Sequence, residues 1–377
     1  TAGSVALGIV FQTNSTADPR TRLYTTISAQ TDTMLFDHDF LFCQSMSNAS
    51  LTQDVRPQAW AKNTVSVGGI THNNSTNRLT HSSSGSTGPG SDGRIKPELA
   101  SFYDNTLAAS NSSDTATTQF GGTSGATPTQ CSAIGLIFEM WADGIFGNTV
   151  GGGSVFDERC HSFTAKALAV NTTYQYNWLA GGSNANMWRI RQGWGMADVA
   201  NLYNLRNNIF VVDGEDPVTP LGVNSYCVDV AGGTPLRITM AYPDPAGNPS
   251  NQSQHRVNDL SLRVIDPNGI VYYGNVGLWG GGSTPNNSGG LFSTAGGVPN
   301  TKDTVENVFI ANPVAGEWTI EVLGDSITVD GWPASQGGTA ALDAHYALVA
   351  SGATACSASC QPDLTTGAIA GQPGYGV

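Results

Sequence analysis

Hydrophobic and polar positions follow two different periods along this chain, and the change falls near residue 205 of 377. Before it, apolar runs such as residues 5–11 alternate with stretches at helical spacing. The clearest of these sets Cys131, Ile134, Phe138 and Trp141 three or four residues apart, which predicts a helix opening around Ser124 and running to about Asp143. Strands alternating with helices predict an α/β domain built on a parallel sheet. From Asn208 onward the helical period vanishes. Eight short alternating stretches replace it, each closed by Gly, Pro or Asn: 209–212, 225–230, 236–241, 260–264, 271–273, 306–310, 318–322 and 346–350. They predict an all-β sandwich of jelly-roll type. The expected organisation is therefore residues 1–205 as the α/β domain, 206–354 as the sandwich and 355–377 as a tail.

The helix that opens at Ser124 begins with chemistry. Gly121-Gly122-Thr123-Ser124-Gly125-Ala126-Thr127-Pro128 puts a serine among residues too small to crowd it. Small neighbours let a substrate backbone approach, and the free N–H groups of a first helical turn face the place where negative charge would grow. Pro128 is expected in that first turn, where a missing N–H has no intrahelical partner to lose. An ordinary Gly/Ser cap would share this composition; the accompanying segments argue for more.

The octet resembles the nucleophile motif of the subtilases, the subtilisin-like serine proteases. Upstream, Ser45-Met46-Ser47-Asn48-Ala49 is similar to the family segment whose Asn side chain completes the oxyanion hole. Trp60-Ala61-Lys62-Asn63-Thr64-Val65-Ser66-Val67-Gly68-Gly69 is similar to the buried strand that follows. Gly88-Pro89-Gly90-Ser91-Asp92-Gly93-Arg94-Ile95-Lys96-Pro97-Glu98-Leu99 resembles the segment leading to the serine, and Thr164-Ala165-Lys166-Ala167-Leu168 and Gln192-Gly193-Trp194-Gly195 fit the later helices. The resemblance implies a subtilisin-like parallel-sheet domain, a serine endopeptidase activity, Ser124 as nucleophile and Asn48 as oxyanion donor. The substrate-binding segments it implies are Ser45, Met46 and Ser47 on one side, with Ser15, Thr16 and Ala17 after Asn14 on the other. Ser47 stands where the family has Gly, and Thr16 and Ala17 also depart from its pattern. The expectation is a small, partly obstructed pocket for modest apolar residues.

The triad is incomplete. Family members place an Asp and then a His before the serine, yet neither an Asp-Ser/Thr-Gly nor a His-Gly-Thr motif occurs. None of His38, His72, His81, His161, His255 and His345 is followed by Gly; Asp37-His38-Asp39 reads as a solvated helix end. A serine hydroxyl without a base is a weak nucleophile. The chain opens at Thr1, inside an expected strand and without an initiator Met, so it reads as the large fragment of a processed endopeptidase. Its Asp and His would then lie on a separate N-terminal segment that remains a partner. A non-catalytic subtilase-like module for binding or structure is the competing reading.

Charge and cysteine use narrow the setting. With 16 Lys and Arg against 29 Asp and Glu, the net charge of −13 argues against nucleic acid or an anionic membrane as partner. Only 12% of residues are charged and 46 are Gly, a profile suited to a secreted, loop-rich protein. No apolar run reaches membrane-spanning length. The second half resembles the C-terminal jelly roll of secreted bacterial subtilases, and in that setting Asp259, Asp303 and Glu306 are candidate ligands for structural Ca²⁺. Cys43 and Cys131 read as buried small hydrophobes, while Cys356 and Cys360 are close enough in sequence to close a local loop. Residues 363–377 resemble the start of a dockerin-like tail of planctomycete type.

Overall fold

The computed structural model describes residues 8–16, 18–72, 80–81, 84–153, 157–176, 189–279, 289–339 and 341–356. Strands β1 (Phe11–Asn14), β2 (Leu41–Ser45) and β3 (Val65–Thr71) lie side by side in parallel; β4 (Thr80–His81) pairs antiparallel with the end of β3, and β5 (Leu99–Phe102) extends the parallel set. Every residue of β2, and β3 as far as Ile70, is buried. That is the state of a parallel strand covered on both faces, and it explains why these segments read as continuous apolar and small-residue runs. Of the strand expected over 5–11, Phe11 alone joins β1 among the described residues, and the strand continues to Asn14.

Helix α1 (Thr26–His38) connects β1 to β2. A hairpin of β6 (Thr106–Ala109) and β7 (Thr117–Phe120) leads into α2 (Thr123–Ala142). The buried stripe of α2, with Ala126, Gln130, Cys131, Ile134, Ile137, Phe138 and Trp141, lies against the sheet. Phe11 and Phe138 stack with centroids 5.7 Å apart, which requires Gly135: a Cβ there would lie 2.9 Å from the Phe11 ring. Helix α3 (Ser162–Asn171) is buried from Phe163 to its end, and the short α4 (Arg189–Gln192) and α5 (Val199–Leu205) close this half.

Each of the eight alternating stretches after residue 205 forms a strand. They are β8 (Ile209–Asp213), β9 (Val223–Val230), β10 (Leu236–Ala241), β11 (Asp259–Ile265), β12 (Val271–Tyr273), β13 (Val305–Ile310), β14 (Gly316–Ser326) and β15 (Ala347–Ser351), with β16 (Thr354–Ala355) in addition. They build two antiparallel sheets, ordered β13-β10-β15-β8 and β12-β11-β14-β9-β16. Alternation sorts the side chains of the first sheet. Ile238, Met240, Leu348 and Ala350 face the second sheet with Leu262, Val264, Trp318 and Ile320. Ala241, Phe309, Ala347 and Val349 face the other way, into the core that holds Leu41, Val65, Ile134 and Leu168. At roughly 1.5–3 kcal/mol for each large apolar side chain buried, this shared core holds the two halves as one body.

Buried ions reinforce the junction. Lys62 Nζ sits 3.4 Å from Asp32 of the α/β half and 3.1 Å from Asp244 of the β half, with all three side chains sealed from solvent. Cys227 on β9 is disulfide-bonded to Cys356, across 129 residues, so the sandwich retains the chain at least to Cys356. This corrects the local Cys356–Cys360 loop expected from spacing; Cys360, like residues 363–377, lies outside the described residues. Cys43, Cys131 and Cys160 are free and buried. Among the described residues, no helix is long and apolar enough to cross a membrane.

Candidate active site

The C-terminal ends of β1 and β2 and the first turn of α2 meet at one edge of the parallel sheet, the edge at which open α/β sheets bind ligands. Asn48 follows β2 there. Its Oδ1 accepts two hydrogen bonds, from the Thr123 N–H at 3.0 Å and the Thr123 hydroxyl at 3.1 Å. The Thr123 hydroxyl in turn accepts from the Ser47 N–H at 3.2 Å. With its oxygen occupied, the Asn48 amide presents only its NH₂ end, and that end lies over Gly122. A Cβ on Gly122 would stand 3.0 Å from Asn48 Nδ2, and its φ of 82° also favours glycine. Gly121 is required by a different close approach, since a Cβ there would stand 2.7 Å from the Tyr103 carbonyl oxygen.

Ser124 is half-buried at the second position of α2. Among the described residues nothing accepts from its N–H and nothing bonds its hydroxyl. Two donors, the Ser124 N–H and Asn48 Nδ2, therefore flank the Gly122–Ser124 segment without internal partners. A tetrahedral oxyanion needs such an arrangement, with donors fixed before charge develops.

Pro128 is placed differently from expectation. The helix starts at Thr123, so Pro128 falls at its sixth residue, beyond the first turn. There its missing N–H deprives a carbonyl four residues back of its helical partner. That carbonyl belongs to Ser124, and the Ser15 hydroxyl donates to it at 3.1 Å. The loop after β1 is thereby tied to the nucleophile's own main chain. Thr16 is exposed, its N–H and hydroxyl both bonded to Asn14 Oδ1 at 3.1 Å; Ala17 lies outside the described residues.

Across the cleft, Ser45, Met46 and Ser47 are all buried. Ser47 has a φ of 127°, a backbone state normally left to glycine. Its hydroxyl accepts from Arg20 Nε at 2.6 Å. A guanidinium thus sits at the wall where the sequence led us to expect a small apolar pocket.

A model of the subtilase family matches residues 4–195, just over half of the chain. The chain belongs to the subtilase family. Among solved structures, it is similar to the PatG macrocyclase domain, with 15% identity, a TM-score of 0.41, and 53% of each chain covered. The self-cleaved protease domain of PatA matches at 12% identity and a TM-score of 0.39, covering 55% of this chain and 65% of that one. A serine protease of Aeromonas sobria matches at 14% identity and 0.34, covering 89% of this chain and 70% of that one. This subtilase thus spans between about half and two thirds of the PatG and PatA domains. No curated protein matches the chain.

No imidazole or carboxylate reaches the Ser124 hydroxyl among the described residues of this subtilase. His38 ends α1, His72 packs on Phe102, His255 stacks on Tyr24, and His345 stacks on Trp332. The sequence reading missed one Asp–His pair: His161 Nδ1 lies 2.8 Å from Asp39 Oδ2, with Arg159 at 3.3 Å from the same oxygen. Burial pushes the Asp39 carboxyl up, but its bond to His161 and the charges of His161 and Arg159 prevail and hold it below the ordinary carboxylate range. His161 is raised by its bond to Asp39, although burial acts the other way. Asp39 precedes β2 whereas Asn48 follows it, so the strand's length, roughly 17 Å, keeps this pair from Ser124.

The three carboxylates suggested for calcium do not converge. Asp259 and Glu306 flank the Arg256 guanidinium, Asp259 in direct contact and Glu306 at 3.6 Å. Asp303 instead accepts from the Ile95 N–H at 2.8 Å and from Asn300 at 2.8 Å. The positive charge between the first two is an arginine's. Among the described residues, the one group of three with metal-ligand spacing is Cys227, Glu317 and Cys356, whose sulfurs are already joined. The donor set does not fit a calcium ion.

Proposed function

We propose that this subtilase is the serine-bearing part of a subtilisin-type endopeptidase, completed by a separate N-terminal segment that carries the Asp and His. Ser124 Oγ attacks the scissile carbonyl, and the Ser124 N–H and Asn48 Nδ2 hold the resulting oxyanion. The histidine of the partner segment takes the serine proton and delivers it to the leaving amine. The observation that carries the reading is the Asn48 amide, locked by Thr123 with its donor end outward. The same two bonds that hold the start of α2 leave the amide's donor end facing Gly122. A peptide substrate would add between the Ser15–Thr16 and Ser45–Ser47 segments as an extra strand.

The sheet edge supports a missing neighbour. β2, and β3 as far as Ile70, are buried, whereas β1 is half-exposed and, among the described residues, has no strand on its outer side. Among the described residues Gln12 Oε1 is buried there with no hydrogen-bond partner, and Ile9 and Leu136 stand 42% and 49% exposed near the Phe11–Gly135 contact. A parallel strand added to β1 would end at the same sheet edge as Ser47 and Ser124, where a base is required. The Cys227–Cys356 disulfide supports a secreted or cell-surface location, and the two antiparallel sheets fit a jelly-roll domain. Calcium has no role in this reading. The absence of an imidazole at Ser124 among the described residues favours one alternative, a non-catalytic module of subtilase shape.

The test is hydrolysis of an internally quenched protein substrate by the native protein and by its Ser124→Ala variant. The reading expects turnover that Ser124→Ala abolishes. Equal turnover in both, or none in the native protein, would overturn it.

A further inference from the structure

The cleft wall next to the oxyanion position carries positive charge, although the whole chain is strongly acidic. Arg20 is exposed and donates through Nε to Ser47, the residue before Asn48. Among the described residues it forms no ion pair, and the rest of its guanidinium has no bonded partner. Arg56, half-buried, donates its main-chain N–H to Met46 O at 3.1 Å and its Nη1 to Asp18 O at 2.8 Å, so it spans both lips of the same cleft. Two acids of these segments are engaged with other side chains. Asp54 faces Arg22 at 3.2 Å, and the Asp18 carboxylate accepts from Gln58 at 2.7 Å. Among the described residues, Arg20, Arg22 and Arg56 stand with Asp18 and Asp54 at this wall.

Asn48 Nδ2 marks where the carbonyl oxygen of the cleaved bond is held. In the peptidase reading, the side chain of the residue donating that carbonyl would lie beside Ser47, to which Arg20 is bonded. A fixed guanidinium fork recognises a carboxylate better than any other side chain, and bidentate pairing supplies geometry as well as charge. Ser47 contributes in two ways: its hydroxyl anchors Arg20, and its glycine-like φ keeps the main chain in the shape the cleft needs.

We infer that Arg20, supported by Arg56, makes this subtilase cleave after acidic residues, glutamate or aspartate. This replaces the apolar preference expected from the sequence, and it rests on the peptidase reading above.

The experiment uses the native, assembled enzyme with fluorogenic peptides that differ only in the residue before the cleaved bond: Glu, the neutral isostere Gln, or Leu. Labelling of Ser124 by a fluorophosphonate is read in parallel. The expected result is a kcat/KM for Glu about tenfold or more above Gln, the scale of a charge-assisted hydrogen bond. Arg20→Gln should bring the two to parity, Arg20→Lys should restore part of the preference, and Arg20→Glu should invert it. Labelled enzyme that prefers Leu, or that keeps its Glu preference in Arg20→Gln, overturns the specificity assignment and leaves the peptidase reading standing. Failure of Ser124 to label overturns both.

Discussion

Replacing Asn48 separates its two roles. Its Oδ1 holds Thr123 through two bonds, and its Nδ2 is available to the reaction. Asn48→Ala removes both. Asn48→Asp keeps an acceptor for the Thr123 N–H and hydroxyl but turns the outward end from a donor into an anion. Asn48 is exposed, so the two lost bonds in the alanine variant should cost about 1–2 kcal/mol of stability in total. The aspartate variant should lose less, because an acidic group at a helix N-terminus is favourable. Catalysis should rank differently. Loss of this donor is worth about 10²–10³ in kcat in subtilisin, the established example of the effect, and a similar loss is expected here. The aspartate variant should fall further, since its charge opposes the oxyanion. KM should change little in either, because the donor acts mainly on the transition state. Thermal melts and steady-state kinetics on the assembled enzyme measure both orders. An aspartate variant with turnover at or above that of the alanine variant would refute the assignment of Nδ2 as donor.

Three further outcomes follow from the geometry. Ser15→Ala strands the Ser124 carbonyl that Pro128 leaves without a helical donor, so it should lower stability by about 1 kcal/mol; a Pro128→Ala background, which restores the helical donor, should erase most of that loss in denaturant titrations. Lys62→Met leaves Asp32 and Asp244 buried without their cation and should cost about 3–5 kcal/mol, seen as a lower urea midpoint. At His161 the raised pKa contributes stability that is present below the ordinary imidazole value and lost as pH rises through the folded one. The depressed Asp39 contributes stability that is present above the ordinary carboxylate value and lost as pH falls through the folded one. Asp213, pushed up to about 6 by burial, adds a decline as pH rises from about 4 to 6. His161→Gln should flatten the alkaline side of the stability profile; an unchanged profile would contradict the pairing.

What the sequence made legible was periodic or contiguous. The apolar stripe from Cys131 to Trp141 and the eight alternating stretches each report which face of an element is covered, and the elements formed where they were read. Ser124 and Asn48 were legible because each sits in a contiguous motif, and the fold brings them together through Thr123. What escaped the reading depends on pairs far apart in the chain. No local signal joins Cys227 to Cys356, Asp39 to His161, or Arg20 to Ser47. Asp259 and Glu306 show the same dependence on distant pairs: a carboxylate's neighbour in space, here Arg256, sets how much charge it offers to an ion. Pro128 shows how a shift in helix start changes meaning, from a harmless first-turn residue to the cause of the Ser15 bond.

The reactivity of Ser124 itself is the most direct test of the central claim. The second-order rate of fluorophosphonate labelling would be compared between this chain alone and the chain assembled with its N-terminal segment. A base supplied by that segment predicts a rise of about 10³ or more on assembly, given the far larger effect that removing the histidine has in subtilisin. Equal rates in the two states would contradict it and leave a subtilase-shaped module without catalysis.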